Sequence, residues 1–250
     1  MTRELKDGER IDNIGFGGIK LIQHKEFGYG IDSVLLASFA AGETGARGIQ
    51  KGSFIADLGT GSGVVAFIIS HKVSESVLMG IDIREDEIDR ATRSGIMNNL
   101  DSRVRFIAKD INEFNELMER SFDAVVSNPP YFRKDASIPS KPESRHIARH
   151  ETTAGVHDFA AAASGMLDNK GSMYLVHRPE RLVDIFDALR KADLEPKEMQ
   201  MVLPYAGKAA NIVLIHAIKG GGPELRILPD IIVRKENGEY TEEITGLYER

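Results

Sequence analysis

From Ser53 onward the chain alternates short apolar runs with amphipathic stretches, and no other feature restricts its fold as much. Phe54–Leu58, Val77–Asp82, Val104–Ala108, Phe122–Ser127, Ser172–His177, Glu198–Leu203 and Asn211–Ala217 read as strands. Gly63–Lys72, Glu85–Asn98, Asp158–Leu167 and Arg181–Lys191 read as helices between them, with a further short helix around Glu113–Glu119. Runs such as Phe54-Ile55-Ala56-Asp57-Leu58 lack a polar face, as strands buried on both sides do. Strand–helix alternation of this kind argues an α/β fold with a parallel, doubly wound sheet. Residues 132–150 carry charge, Ser and Pro without a strong period and read as a surface loop.

Ahead of this unit the chain is polar and glycine-rich. Arg10–Ile14 and Ile19–Gln23 pair as a hairpin around Gly15-Phe16-Gly17-Gly18, and Ile31–Ala41 is a helix with Val34, Leu35, Leu36 and Phe39 at helical spacing. Asp32 lies at its start, where a carboxylate accepts exposed backbone N–H groups. The tail, 218–250, is glycine-rich and then charged, with one more strand at Asp230–Val233. The expected organisation is a hairpin–helix extension over 1–50, a core unit over 51–220 and a C-terminal extension over 221–250.

Composition narrows the chemistry. Of 250 residues 42% are hydrophobic, enough for one sizeable core. There is no cysteine, which excludes disulfides, thiolate metal sites, iron–sulfur clusters and a cysteine nucleophile, and fits a reducing, cytoplasmic setting. The formal charge of -6 means that a nucleic-acid partner must be held by a local basic face. The charged start, Met1-Thr2-Arg3-Glu4, has no apolar segment behind it, and no run approaches a membrane span.

Asp57-Leu58-Gly59-Thr60-Gly61-Ser62-Gly63 follows a strand and opens a helix. Glycines there allow a tight turn and close approach of a ligand to the backbone, and the helix start supplies free N–H groups. The spacing is Gly-x-Gly-x-Gly, with Val64 where a dinucleotide fingerprint needs glycine, and no Gly-Lys-Ser/Thr follows. The loop resembles the cofactor loop of class I methyltransferases that use S-adenosylmethionine. The resemblance implies a Rossmann-like, seven-stranded, mostly parallel sheet with an antiparallel last strand and helices on both faces. It further implies that Asp57, Gly59, Gly61 and Gly63 hold the cofactor, which leaves as S-adenosylhomocysteine. Asp82, at the end of the second strand, matches the residue that holds the ribose, and a carboxylate accepts from both hydroxyls of a vicinal diol. Asp110 matches the residue that meets the adenine amino group, with Ile83 and Ile111 on either side of the ring.

Asn128-Pro129-Pro130-Tyr131 ends the fourth strand, where open α/β sheets place ligands. Prolines stiffen the loop and donate no backbone hydrogen bond. The Asn128 side-chain carbonyl and the Pro129 carbonyl make two acceptors for one planar –NH₂, and Tyr131 offers a stacking face. Drawing on both N–H bonds moves a conjugated nitrogen toward tetrahedral geometry, so that no strong general base is needed. The motif is similar to the signature of methyltransferases acting on adenine N6, cytosine N4 or a glutamine amide. Attack at cytosine C5 needs a cysteine and is excluded.

The glutamine-modifying relatives carry a helical domain before the catalytic one, and the short extension here argues instead for a nucleobase. Gly28-Tyr29-Gly30-Ile31-Asp32-Ser33-Val34-Leu35-Leu36-Ala37 is similar to an element of the tRNA adenine-N6 methyltransferases, whose matching aspartate lies near the methionine end of the cofactor. Ala148-Arg149-His150-Glu151 and His177-Arg178-Pro179-Glu180-Arg181-Leu182 extend the likeness, which covers about residues 10–220. The family implied is the one that methylates adenine N6 beside the anticodon of a bacterial valine tRNA. Arg133, Lys134, Lys141, Arg145 and Arg149 outnumber Asp135 and Glu143, so the loop 133–150 is the expected RNA contact. His146 and His150 lack further ligands nearby in sequence, and no metal is expected. A protein-glutamine N5-methyltransferase, an enzyme acting on adenine in ribosomal RNA, and a catalytically silent RNA-binding module are the alternatives. Oligomeric state is not legible.

Overall fold

Both faces of the central sheet are covered, which is why its strands read as unbroken apolar runs. A computed structural model describes residues 5–26, 28–113, 121–131 and 154–249. In β3 (Phe54–Leu58), Ile55 enters one buried cluster, and Ala56 and Leu58 enter the other. In β6 (Phe122–Ser127), Ala124 and Val126 face the first cluster and Val125 the second. A period of two with both faces apolar needs a layer of helix on each side.

Those layers are present. The N-terminal helix α1 (Ile31–Ala40), α2 (Val64–Lys72) and a C-terminal helix within 242–249 supply the first cluster. The second is closed by two further helices, Val156–Met166 and Leu182–Lys191. α1 is buried along almost its whole length, from Ser33 to Ala40.

The sheet contains β4 (Val77–Asp82), β5 (Val104–Ala108), β7 (Leu167–His177), β8 (Leu194–Tyr205) and β9 (Ile212–Lys219) beside β3 and β6. Its order is β5-β4-β3-β6-β7-β9-β8. Only β9 runs antiparallel among these seven, pairing with β7 and β8. That is the arrangement expected from the sequence. Two short tail strands, β10 (Arg226–Ile227) and β11 (Ile231–Arg234), add to the β8 edge, so nine strands form the sheet among the described residues. One of these was foreseen at 230–233, while β10 and the C-terminal helix were not.

The differences in extent have local causes. β7 begins at Leu167, because that residue pairs with Phe122 ahead of a register shift. β8 starts before Pro196, which a register shift between Pro196 and Glu198 accommodates. The helix expected at 113–119 lies mostly outside the described residues, and Ile111–Glu113 forms a 3-10 turn. The loop 133–150 also lies outside them.

The N-terminal hairpin, β1 (Glu9–Asn13) with β2 (Lys20–His24), packs through β2 on α3 (Glu85–Met97). Buried Arg93 donates to Glu9 at 2.9 Å, and the Ile22 N–H donates to Ser94 Oγ at 2.9 Å. The Lys72 side chain, 0% exposed, donates to Glu43 at 2.6 Å and to the Leu247 carbonyl at 2.9 Å, tying α2 to the tail. Such buried charges are tolerated because they are paired.

Close approach of α2 to the sheet depends on two glycines around the Phe106 ring. Gly63, at φ +85°, would place a Cβ 2.7 Å from Phe106 Cζ. A Cβ at Gly80 would overlap the same ring and lie 2.7 Å from Thr60 Oγ1. Gly80→Ala is therefore expected to destabilise the protein by about 1–3 kcal/mol, an overpacking cost. Phe106→Leu added to it should recover part of that loss. Urea unfolding midpoints of the two single variants and the double variant check this; additive losses would contradict it.

Candidate active site

The sheet order places the site. β3 continues toward β4 and β5 on one side, and β6 toward β7 on the other, so the strand order reverses between β3 and β6. A crevice opens at such a point, at the carboxyl ends of the strands. Leu58 pairs with Ser127, and Ser127 Oγ donates to the Leu58 carbonyl at 2.9 Å. The glycine loop and Asn128 thus leave adjacent strands side by side. A cleft of about 350 Å³ lies there, lined by Asp57, Gly59, Gly61 and Asn128 together with Gln23, Tyr29 and Arg84.

The glycine loop folds back over β4. Gly59, Gly61 and Gly63 all take left-handed φ, at 72°, 53° and 85°. The N–H groups of Gly59 and Thr60 donate to the Ile81 carbonyl, and that of Gly63 to the Thr60 carbonyl. The Gly61 N–H donates to Asp82 Oδ2 at 2.9 Å. These four amides of the loop are spent within the protein. A phosphate cradle keeps such groups open. The charged side chains that line the cleft are Asp57 and Glu87 with Arg84 beside them.

Asp57 is buried and accepts from Thr60 Oγ1 at 2.6 Å. Burial pushes its carboxyl up to about 7, against the hydrogen bonds from Thr60 and the Ala66 backbone and with help from nearby Asp82. Asp82 is 5% exposed. Its Oδ1 accepts from the Arg84 backbone N–H at 3.0 Å and from Arg84 Nε at 3.1 Å, and its Oδ2 from Arg84 Nη2 at 3.3 Å. Asp82 thus accepts with both oxygens at once, as binding of a diol requires.

The other expected cofactor positions lie further out. Ile83, 42% exposed, presents open surface beside Asp82, whereas Ile111 is 7% exposed and joins the second core cluster. Asp110 Oδ1 accepts from the backbone and side-chain N–H of Asn112, each at 2.9 Å. Gly63 does not line the cleft; it admits the Phe106 ring.

Asp32 does not cap its helix. Gly30 occupies the cap position without a side-chain hydrogen bond, and Asp32 lies one residue inside the first turn. Its Oδ2 accepts from the Tyr131 hydroxyl at 2.6 Å, and that hydroxyl lies 3.0 Å from Asn128 Oδ1. The helix start is thereby joined to the Asn-Pro-Pro-Tyr segment. Pro129 is buried and Pro130 exposed. The Arg178 guanidinium stacks 4.7 Å from the Tyr131 ring centre, and His177 meets the ring edge-on at 5.1 Å.

His177 and Arg178 end β7 and wall the site, a role that the sequence reading did not give them. Their signal was positional, since β7 lies beside β6 in the sheet. Burial, then the charge of Arg181, push the His177 imidazole down to about 4, so it is neutral near pH 7. Gln23 and Arg84 were also missed. Gln23 is 3% exposed, and its Oε1 is buried without a hydrogen-bond partner. A buried acceptor left open beside a cleft awaits a donor. Carboxylates on the cleft and the open Gln23 acceptor fit a cationic, donor-rich cofactor, as S-adenosylmethionine is. Among the described residues no group of His, Asp and Glu gathers to hold a metal, and no helix is long and apolar enough to cross a membrane.

Asp57 binds its proton more tightly folded than unfolded, so this group's contribution to stability falls as pH rises from about 4 to about 7. Asp57→Asn keeps the acceptor for Thr60 and removes the titration. The stability difference between wild type and variant should shift in the variant's favour across that window, by urea unfolding at stepped pH. A constant difference would contradict the buried, proton-holding state of Asp57.

Comparisons with known proteins agree with this geometry. Residues 49–194 match the model of a methyltransferase domain family. A tRNA1(Val) (adenine(37)-N6)-methyltransferase of Parabacteroides distasonis is 27% identical over 225 residues, covering 87% of each chain. One of the same name from Porphyromonas gingivalis is 30% identical over 159 residues, covering 62% of this chain and 60% of the relative. Among solved structures, a predicted O-methyltransferase from Agrobacterium tumefaciens shares the fold with a TM-score of 0.68 at 20% identity, covering 87% of this chain and 95% of that one. A 16S rRNA guanine-N2 methyltransferase of T. thermophilus, solved with AdoMet and guanosine, has a TM-score of 0.60 at 19% identity, covering 86% and 52%. The chain belongs to the methyltransferase domain family.

Proposed function

We propose that the protein transfers a methyl group from S-adenosylmethionine to the N6 amino group of an adenine in tRNA, at position 37 beside the anticodon of valine tRNA. The observation that carries this reading is Asn128, which directly follows β6 and lines the cleft beside the glycine loop. The relatives' names supply the nucleoside and its position.

When bound, S-adenosylmethionine supplies an electrophilic methyl on a sulfonium. The protein's part is placement. Asp82 accepts from the ribose hydroxyls, which requires Arg84 to share or yield that carboxylate. Asp57 and the glycine loop shape the methionine end, and Asp110 and Ile83 meet the adenine. The Asn128 side-chain carbonyl and the Pro129 carbonyl accept the two N6–H bonds of the target base. The amine lone pair then leaves conjugation and points at the methyl carbon. A C–N bond would form as the methyl–sulfur bond breaks, the electron pair staying on sulfur in S-adenosylhomocysteine, and the nitrogen, now acidic, would lose its proton to water. Tyr131 stacks on the flipped base with the face that Arg178 leaves free.

In this reading residues 51–220 are the catalytic unit, with 1–50 and 221–250 as extensions packed on it. The basic stretch 133–150, outside the described residues, holds the RNA backbone. A cytoplasmic setting goes with that substrate.

The test uses two valine tRNA transcripts that differ only at position 37, adenine in one and guanine in the other. The protein with labelled S-adenosylmethionine should form N6-methyladenosine in the first and none in the second. Equal labelling of both transcripts would place the target elsewhere in the RNA.

A further inference from the structure

We propose that Asp32 is a positioning residue for methyl transfer: through the Tyr131 hydroxyl it fixes the Asn128 amide with its carbonyl oxygen toward the cleft. This rests on the reading of Asn128 as an acceptor for the substrate amine. It gives Asp32 a role in the reaction besides any contact with the cofactor.

One proton is shared among three oxygens here. The Tyr131 hydroxyl oxygen lies 2.6 Å from Asp32 Oδ2 and 3.0 Å from Asn128 Oδ1. A phenol has one proton to donate. The carboxylate is both charged and nearer, so it takes that proton. Burial, and then the Asp32 charge, hold the Tyr131 hydroxyl protonated well above the usual phenol range. Its oxygen therefore has only lone pairs left for Asn128, and an amide meets a lone pair with its –NH₂. The opposite order, with Tyr131 donating to Asn128, leaves two oxygens 2.6 Å apart with no proton between them.

Amide nitrogen and oxygen exchange places by a half-turn of the side chain, and the surrounding network decides between them. The proton count therefore assigns Nδ2 to the amide atom 3.0 Å from the Tyr131 hydroxyl, in place of Oδ1, and turns Oδ1 away from it, the polarity that an incoming –NH₂ needs. The reverse polarity would set N–H against N–H. Arg178 over the ring and His177 at its edge hold Tyr131 in this position.

Tyr131→Phe keeps the ring and removes the relay. Single-turnover methylation of unmodified tRNA is expected to slow about tenfold, the scale of one lost hydrogen bond of this kind. Binding of tRNA and of S-adenosylhomocysteine, followed by calorimetry, should stay near wild type. Asp32→Ala should slow the reaction similarly, and adding it to Tyr131→Phe should cost nothing more. Asp32→Asn, nearly isosteric and still an acceptor for the hydroxyl, should recover part of the rate. Losses that multiply in the double variant would overturn the relay. So would an Asp32→Ala protein that keeps its rate but binds S-adenosylhomocysteine weakly, because Asp32 would then serve the cofactor alone. Full activity in Asn128→Ala would instead sink the reading of Asn128 itself, which separates the two failures.

Discussion

The pairing of Leu58 with Ser127 is the contact on which the site depends. It joins residues 69 apart in sequence, and Ser127 Oγ reinforces it by donating to the Leu58 carbonyl. From one partner the chain runs into the glycine loop, and from the other into Asn128. Without that register the two halves of the chemistry, cofactor and amine acceptor, have no fixed relation. Parallel strands need long crossovers to meet, so the core of the fold must be complete before the site exists.

Around this pairing the protein gathers acidic side chains, one of them with its carboxyl raised by burial. Asp57 is buried at the base of the cleft, Asp82 is held between Gly61 and Arg84, and Asp32 is held by Tyr131. Each carboxylate is oriented by a donor within the chain, and at Asp82 that donor, Arg84, must share or yield its place to a ligand. The same donors explain how the charges coexist in a small volume. Gly63 and Gly80 contribute by omission, since the room they leave for Phe106 lets α2 approach β4.

Much of this was legible in the sequence. Strands buried on both faces, the glycine loop and Asn128-Pro129-Pro130-Tyr131 each carry their signal within a few residues. The seven mostly parallel strands with the last antiparallel came from the resemblance, and the structure has them within a nine-stranded sheet. What was not legible involves partners distant in sequence. Asp32 read as a helix cap, because nothing local shows that Tyr131 is its donor. Arg84 was not singled out, because its hold on Asp82 is set by the turn after β4. His177 and Arg178 entered only through family likeness, since their place beside Tyr131 comes from β7 lying next to β6. The tail was read as one strand, whereas β10 is two residues long and β8 supplies its pairing.

The central claim is that Asn128 serves methylation of a nucleobase amine. It is tested most directly by incubating wild type and Asn128→Ala with labelled S-adenosylmethionine and bulk tRNA lacking its modifications, then resolving the nucleosides by mass spectrometry. The account predicts labelled N6-methyladenosine from wild type. It predicts at least about a hundredfold less from the variant, as for loss of a polarising group in a transition state, with S-adenosylhomocysteine still bound. Equal label from both proteins, or label in a nucleoside other than adenosine, would contradict it.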